Sequence, residues 1–398
     1  MNIGFWMTAL VLSSSVATTV AHAQTVEIKW AGSEHLSLGE SGAFAACRQL
    51  GISKTDCPVT DLPRGDKKIS FRYGEILMSA DFYNSPDEFY SDRRKGIKHV
   101  IKCTHDEIHG DKPKTCNNIA TFFSMPKYLG VVTKNYNHFG WYNMKDYVKY
   151  HQQAIDKALK SYALKDSNPE KSLLLYQQAM IANAYADHYL TDAFASGHVR
   201  VPRVQVVEWA KANLEGFLKK NRGDLITMLL HDNESKNLKT GVEEAFPVSN
   251  AYGDEWETRG DGHLQIDENP LDPVRLHPEH AVRESVKEVL VAALYGVEPK
   301  GIFSATWMVP FSQDIPFYQK FTAAHQQMTE MDFVNSFFRK QPLIKATHVA
   351  RYDLGRCLKA MPDIFAEFRK AVRKDIQTTP ELSRRLPARY LEAFSNVN

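Results

Sequence analysis

Helical periodicity is the feature of this 398-residue sequence that most restricts its fold. Apolar side chains recur every three to four positions through several long segments, and several of these segments have acidic starts and basic ends. Strand-like alternation is scarce. The pattern predicts an all-α, multi-helix bundle with long loops, and places its helices over residues 144–164, 169–196, 203–221, 278–296, 354–375 and 380–394.

Three segments between these helices have the composition of loops, namely residues 51–69, 101–118 and 232–276. The last is rich in glycine, aspartate and asparagine, and loops of this length in a compact domain are commonly functional. The chain after about residue 276 is expected to form either a separate helical subdomain or further helices on the same core.

The N-terminus has the pattern of an export signal. Residues 1–23 contain an apolar run that ends at Ala21-His22-Ala23, a small-x-small cleavage site. A buried first helix is the alternative, but no charged side chain occurs before Glu27. We expect a mature chain that begins near Gln24, is exported to the periplasm or the medium, and is not stably inserted in a membrane.

Cysteine spacing agrees with export to an oxidising compartment. The chain has five cysteines, and the short separations favour Cys47–Cys57 and Cys103–Cys116 disulfides, with Cys357 left over. A cysteine metal site is the alternative, but the sequence contains no CxxC pair. The net charge of +2, with acids and bases interspersed, disfavours nucleic acid as a partner.

The segment HYLTDAFASGH, residues 188–198, concentrates three metal-ligating side chains. His188 and Asp192 are four positions apart and share one face of a helix. His198 would lie roughly 15 Å further along an unbroken helix, but Gly197 favours a helix end and a turn before it. The pattern predicts that His188 and Asp192 serve one metal and His198 a neighbouring one. The alternative is a set of polar residues at a helix end.

This segment resembles the H-[FY]-L-x-D-x5-H motif of the bacterial zinc-dependent phospholipases C and the related S1/P1-type nucleases. Three further elements resemble the same families in the same order: GSEHL with His35, SADFY with Asp81, and NYNHF with His138. The resemblance covers roughly residues 30–260. It implies a phospholipase C/P1 nuclease-like helical fold with additional C-terminal helices.

The resemblance also implies a site with two or three zinc ions. Asp192 would bridge two ions, and Asp81 would be both a ligand and a catalytic group that helps with the proton. The family ends its ligand set with H-x3-E, whereas His231 here is followed by Glu234 three positions on, with Asp232 as a competitor. The implied metal ligands are His35, Asp81, His138, His188, Asp192, His198, His231 and Glu234.

The chain departs from the family in two further respects. The phospholipases begin their mature chain with a metal-binding tryptophan, but Trp30 lies inside this chain, which puts the third metal in doubt. The spacing from Asp81 to His138 is also longer. Elsewhere, Asp254 and Asp261 are expected to cap turns, and Arg200 and Arg203 either to hold a substrate phosphate or to lie at the surface.

The function implied by the resemblance is that of a secreted phospholipase C. Such an enzyme hydrolyses glycerophospholipids at a membrane surface to diacylglycerol and a phosphorylated headgroup. The alternatives are an S1/P1-like nuclease or nucleotidase and a non-catalytic zinc protein. No GxSxG or GxxxxGK motif occurs. We therefore expect a signal peptide (1–23), a metal-dependent phosphodiesterase domain (24–275) and a C-terminal helical extension or subdomain (276–398).

Overall fold

The computed structural model describes residues 32–63, 65, 69–92, 96–110, 116, 125, 130–131, 135–234, 246–261, 264, 271–312 and 352–396. The expected signal peptide lies outside these residues. The described α-helices are, in chain order, α1 (Gly32–Gln49), α2 (Tyr73–Ser79), α3 (Pro86–Ser91), α4 (Gly96–Ile108), α5 (Trp141–Leu164), α6 (Pro169–Asp192), α7 (Ser196–Val199), α8 (Arg203–Asn213), α9 (Lys219–Glu234), α10 (Pro273–Tyr295), α11 (Leu354–Lys359), α12 (Met361–Thr378), α13 (Pro380–Arg385) and α14 (Ala388–Ser395).

Strands contribute only two short antiparallel hairpins to the described part of the chain. Strand β1 (Leu62–Pro63) pairs with β2 (Ser70–Phe71), and β3 (Phe246–Ser249) pairs with β4 (Glu255–Thr258) so that Val248 lies opposite Trp256. Short 3-10 helices occur at Ala80–Phe82, Tyr136–His138 and Ser304–Trp307. The prediction of an all-α multi-helix bundle is confirmed.

Several of the sequence-based boundaries are wrong. The helix expected over 169–196 ends at Asp192, those expected over 354–375 and 380–394 are each divided into two helices (α11 and α12, α13 and α14), and the loop expected over 232–276 contains the β3–β4 hairpin. The helix expected over 203–221 ends at Asn213 and a new helix begins at Lys219, because the segment between them contains Gly216 and Leu218 with positive φ angles of 78° and 57°. The loop expected over 101–118 begins inside α4. This helix buries Ile97, Val100 and Ile101 on one face, so its charged residues are the outer face of an amphipathic helix.

Helices α5 and α6 form the long antiparallel pair at the centre of the bundle, and α1 and α10 pack against them. Glycines let the N-terminal elements approach closely. A Cβ on Gly74 of α2 would lie 2.2 Å from the carbonyl oxygen of Leu36 in α1, and a Cβ on Gly42 would lie 2.6 Å from Val282 of α10. Close packing of α1 therefore fixes the position of the residues on its buried face, including His35.

The C-terminal helices share a core with the first half of the chain. Trp141, the first residue of α5, stacks on Tyr390 of α14, and its indole N–H donates to Asp375 of α12 at 3.0 Å. Helix α10 itself crosses the expected boundary at residues 275 and 276. Residues 352–396 are thus continuous with the core around α5 in the described structure.

Both expected disulfides are present, Cys47–Cys57 and Cys103–Cys116, and Cys357 is a buried free thiol. These disulfides are consistent with an exported protein. Among the described helices, none combines the length and the apolar character needed to cross a bilayer.

Candidate metal centre

The C-terminal half of α6 is enclosed on all sides. Every residue from Ala179 to Asp192 is buried, so the helix carries His188 and Asp192 into the interior rather than to a surface. Burying two ionisable side chains one turn apart is costly unless charges or metals compensate. The helix ends at Asp192, and the chain turns into the short helix α7, which contains His198.

Four side chains converge beside the end of α6 and form what we call the first group: Asp81, His138, His188 and Asp192. Nε2 of His188 lies 3.1 Å from Nδ1 of His138 and 3.6 Å from an oxygen of Asp81. Oδ2 of Asp192 lies 2.8 Å from Nδ1 of His138 and 3.6 Å from Nε2 of His188. Asp81 lies in the 3-10 turn that follows α2, and His138 lies in the 3-10 turn that precedes α5. His188 and Asp192 belong to α6.

Four of the six separations among these side chains are close to those of ligands around one tetrahedral metal ion. Four ligands at zinc–ligand distances of about 2.0–2.1 Å stand about 3.3 Å apart along each edge of the tetrahedron. The separations of His188 from the other three members, and of Asp192 from His138, are 2.8 to 3.6 Å and lie close to this value. Nitrogen and carboxylate donors without thiolate suit zinc, with manganese or iron as other candidates.

Asp192 also faces His35 with its second oxygen. Oδ1 of Asp192 lies 3.2 Å from Nε2 of His35, and His35, His188 and Asp192 make a second arrangement of possible ligands. The other ring nitrogen of His35 lies 2.8 Å from the hydroxyl of Thr191. That contact orients the ring so that Nε2 points to Asp192, which places Asp192 between two potential ion positions.

A separate group, which we call the second group, contains His198, His231 and Asp261. One oxygen of Asp261 lies 3.0 Å from Nε2 of His231 and 3.5 Å from Nε2 of His198. Nδ1 of His198 lies 2.7 Å from the backbone carbonyl oxygen of His138. His138 therefore contributes its ring to the first group and fixes the orientation of His198 in the second.

Asp261 is the residue that sequence reasoning missed. It was expected to cap a turn, whereas the structure places its carboxylate between the two histidines of the second group. The sequence feature that could have indicated Asp261 as a ligand is its position in a long Gly- and Asp-rich segment. No spacing rule, however, connected Asp261 to His231. Asp254 does fulfil the expectation, because it lies in a turn where its side chain accepts from Asn250 at 2.9 Å.

Asp232 and Glu234 were the two carboxylates considered as the metal ligand that follows His231, and the structure describes the side chain of Asp232 only. Asp232 lies on the far side of His231, with its carboxylate 3.2 Å from Nδ1, where it can orient the ring but not share an ion with Asp261. The side chain of Glu234, the last residue of α9, lies outside the described residues. Its role as a ligand stays a prediction.

The two arginines after His198 are both buried, in contrast to the surface position considered for them. Arg203 pairs with Asp224 at 3.1 Å, and its guanidinium lies 5.2 Å from the ring centre of Phe139. Phe139 in turn stacks on His198 with 4.7 Å between ring centres. Arg203 therefore supports the wall of the second group.

Electrostatics couple the members of both groups. Burial opposes protonation of His35, but the hydrogen bond and charge of Asp192 raise its pKa to about 9. Burial also opposes protonation of His231, but Asp261 and Asp232 together raise the pKa of this histidine to about 10. Without metal, protonated histidines thus balance the carboxylates, and a bound cation would replace these protons.

The remaining members titrate differently. Burial holds the pKa of His188 well below its usual value, which keeps the ring neutral and able to ligate. Burial opposes ionisation of Asp192, yet the surrounding histidines, with His138 at 2.8 Å, hold its pKa well below the usual range. Burial raises the pKa of Asp81, whose side chain is 19% exposed and is the most accessible of the first group.

Gly197 leaves the space that His231 occupies. A Cβ at position 197 would lie 2.4 to 2.9 Å from three atoms of the imidazole. We expect Gly197→Ala to displace the ring and weaken metal binding by about tenfold to a hundredfold. Metal titration of the purified variant measures this, with Gly130→Ala as the control for a substituted glycine, because a Cβ at position 130 would meet nothing within 4 Å. Unchanged affinity in Gly197→Ala would show that His231 is not a ligand.

No family model, curated protein or solved structure matches this chain. The geometry of the two groups is therefore the basis for the functional proposal, together with the sequence motifs described above.

Proposed function

We propose that this protein is an exported, metal-dependent phosphodiesterase of the phospholipase C type, with zinc as the metal. One observation carries the proposal. Two groups of histidine and carboxylate ligands lie side by side, joined because His138 takes part in the first group and orients His198 of the second. Closely spaced divalent ions stabilise both the attacking and the leaving oxygen of a phosphate ester.

The protein's own residues would divide the work. Asp81, His138, His188 and Asp192 would hold one ion, His35 and Asp192 would share another, and His198, His231 and Asp261 would hold a third. When bound, such ions lower the pKa of a coordinated water and neutralise charge on the phosphoryl oxygens. Asp81 is the accessible carboxylate of the first group, and its oxygens are placed to accept or return a proton.

The phospholipid as substrate rests on the resemblance of the four motifs to the zinc-dependent phospholipases C. Supporting physical features are the two disulfides, which suit an extracytoplasmic enzyme. Acidic and basic residues are nearly equal in number and interspersed in the sequence, which gives no indication of a basic groove for nucleic acid.

The first test combines metal content and product analysis. Purified protein is expected to contain two or three zinc ions per chain. It should release diacylglycerol and phosphorylated headgroup from phosphatidylcholine vesicles together. Removal of the metal with 1,10-phenanthroline should abolish the release, and added zinc should restore it, because the ligand groups remain in place.

The non-chelating isomer 1,7-phenanthroline is the control for this test. Release that survives complete metal removal would refute the metal-dependent mechanism. A zinc-loaded protein that leaves phospholipid intact but hydrolyses single-stranded nucleic acid would replace the phospholipase assignment with the nuclease one. Bound zinc with neither activity would support a structural role for the metal.

A further inference from the structure

An apolar tip projects from the loop between α8 and α9. The side chains of Phe217 and Leu218 are 91% and 48% exposed, whereas Leu214 at the start of the loop is buried. Single exposed leucines are ordinary on protein surfaces, but an adjacent phenylalanine and leucine at the tip of a loop form a continuous apolar projection. We call residues 214–218 the apolar tip.

The apolar tip is held in place by arginines from the surrounding helices. Arg222 of α9 donates to the carbonyl oxygens of Glu215 and Phe217 and makes a bidentate ion pair with the buried Asp353 at 2.6 and 2.7 Å. Arg356 of α11 donates to the carbonyl oxygen of Asn213 at 2.9 Å. The exposed side chains are thus presented by an ordered backbone rather than by a loose loop.

The backbone of the apolar tip adopts an unfavourable conformation. Leu218 has a φ of 57°, and it is the one non-glycine residue with positive φ in the described chain. This region costs an L-residue on the order of 1 kcal/mol or more. Phe217 and Leu218 are both exposed at this strained position, and strain of this kind clusters at functional sites.

Lysines flank the apolar tip in the sequence, and the exposed Glu215 is its one acidic residue. Lys219 and Lys220 follow directly, and Lys211 precedes it on α8. Lys220 and Lys211 also form surface ion pairs with Asp224 and Glu208, which contribute little and exchange readily. An apolar wedge flanked by lysines has the composition of a segment that inserts shallowly into an anionic bilayer surface.

We propose that the apolar tip docks this protein onto a phospholipid bilayer, with Phe217 and Leu218 inserted at the headgroup–acyl boundary and the lysines against anionic headgroups. The inference deepens the proposed function and rests on it, because it supplies contact with an aggregated phospholipid substrate. Helix α9 runs from the apolar tip to His231, so the docking element is joined rigidly to the second group of the metal centre.

Vesicle binding of the metal-loaded mature chain, which begins near Gln24, tests the proposal. We expect Phe217→Ser to weaken co-sedimentation with phosphatidylcholine–phosphatidylserine vesicles by about tenfold, since burying a phenylalanine is worth about that much. Leu173→Ser on α6, where the side chain is 57% exposed, is the matched control and should bind like the wild type. Phe217 is too exposed for its loss to unfold the protein, and circular dichroism verifies this.

Activity measurements separate this inference from the proposed function. Phe217→Ser should leave hydrolysis of monomeric dihexanoylphosphatidylcholine unchanged while it slows hydrolysis of vesicles. Vesicle binding that depends on Phe217 in a protein without phospholipase activity would uphold the docking surface and refute the proposed function. Vesicle binding unaffected by Phe217→Ser, or a Phe217-dependent dimer seen by sedimentation equilibrium in its place, would overturn the docking proposal.

Discussion

Replacing His188 with alanine is expected to lower phosphodiester hydrolysis by on the order of a thousandfold or more and to reduce the metal content. Nε2 of His188 lies 3.1 to 3.6 Å from His138, Asp81 and Asp192, so it contacts each of the other three members of the first group. His188 also belongs to the arrangement with His35. Its loss therefore affects two of the three potential ion positions. Steady-state hydrolysis and metal analysis of the purified variant measure both effects.

The controls address folding, because His188 is completely buried. His188→Gln keeps most of the side-chain volume and should also lose activity while retaining the helical circular dichroism spectrum. His109→Ala, at an exposed histidine just after α4, should keep full activity and metal. Wild-type hydrolysis by folded His188→Ala would eliminate the first group as the catalytic centre.

Asp261→Asn is expected to lose about one metal ion per chain and to reduce hydrolysis by on the order of a hundredfold. The carboxylate is the anionic member of the second group, and His198 and His231 hold its pKa below the ordinary range against the effect of burial. An amide of the same shape removes this charge, so that His198 loses its carboxylate contact in the second group and the partly buried His231 keeps only Asp232. Zinc content and kcat of the variant give the readout.

Three further variants decide which carboxylate completes the second group. Asp254 lies in the turn of the β3–β4 hairpin, shortly before Asp261 in the chain. Asp254→Asn is therefore the matched control and is expected to behave like the wild type. Asp232→Asn should reduce metal affinity less than Asp261→Asn, because Asp232 contacts the other nitrogen of His231. A loss of metal in Glu234→Gln but not in Asp261→Asn would return the ligand role to Glu234.

Local patterns in the sequence predicted local structure well. The helices at 144–164 and 169–196 correspond to α5 and α6 because their apolar repeats are regular and uninterrupted. The division of 203–221 into two helices was not predicted, since an apolar repeat continued through residues whose backbone leaves the helical region. Likewise α4 was taken as a loop because its charged face dominates the composition of 101–118.

The sequence by itself determined the helical class, the two short-range disulfides, and the pairing of His188 with Asp192 on one face of α6. All of these depend on residues close together in the chain, where geometry follows from spacing. Tertiary structure alone decided the place of Asp261, thirty positions after His231. The backbone N–H of Ser196 donates to the carbonyl oxygen of Arg259 at 2.9 Å, and this contact brings the end of β4 beside α7. Only such a long-range contact, which no local period encodes, could place that carboxylate between two histidines.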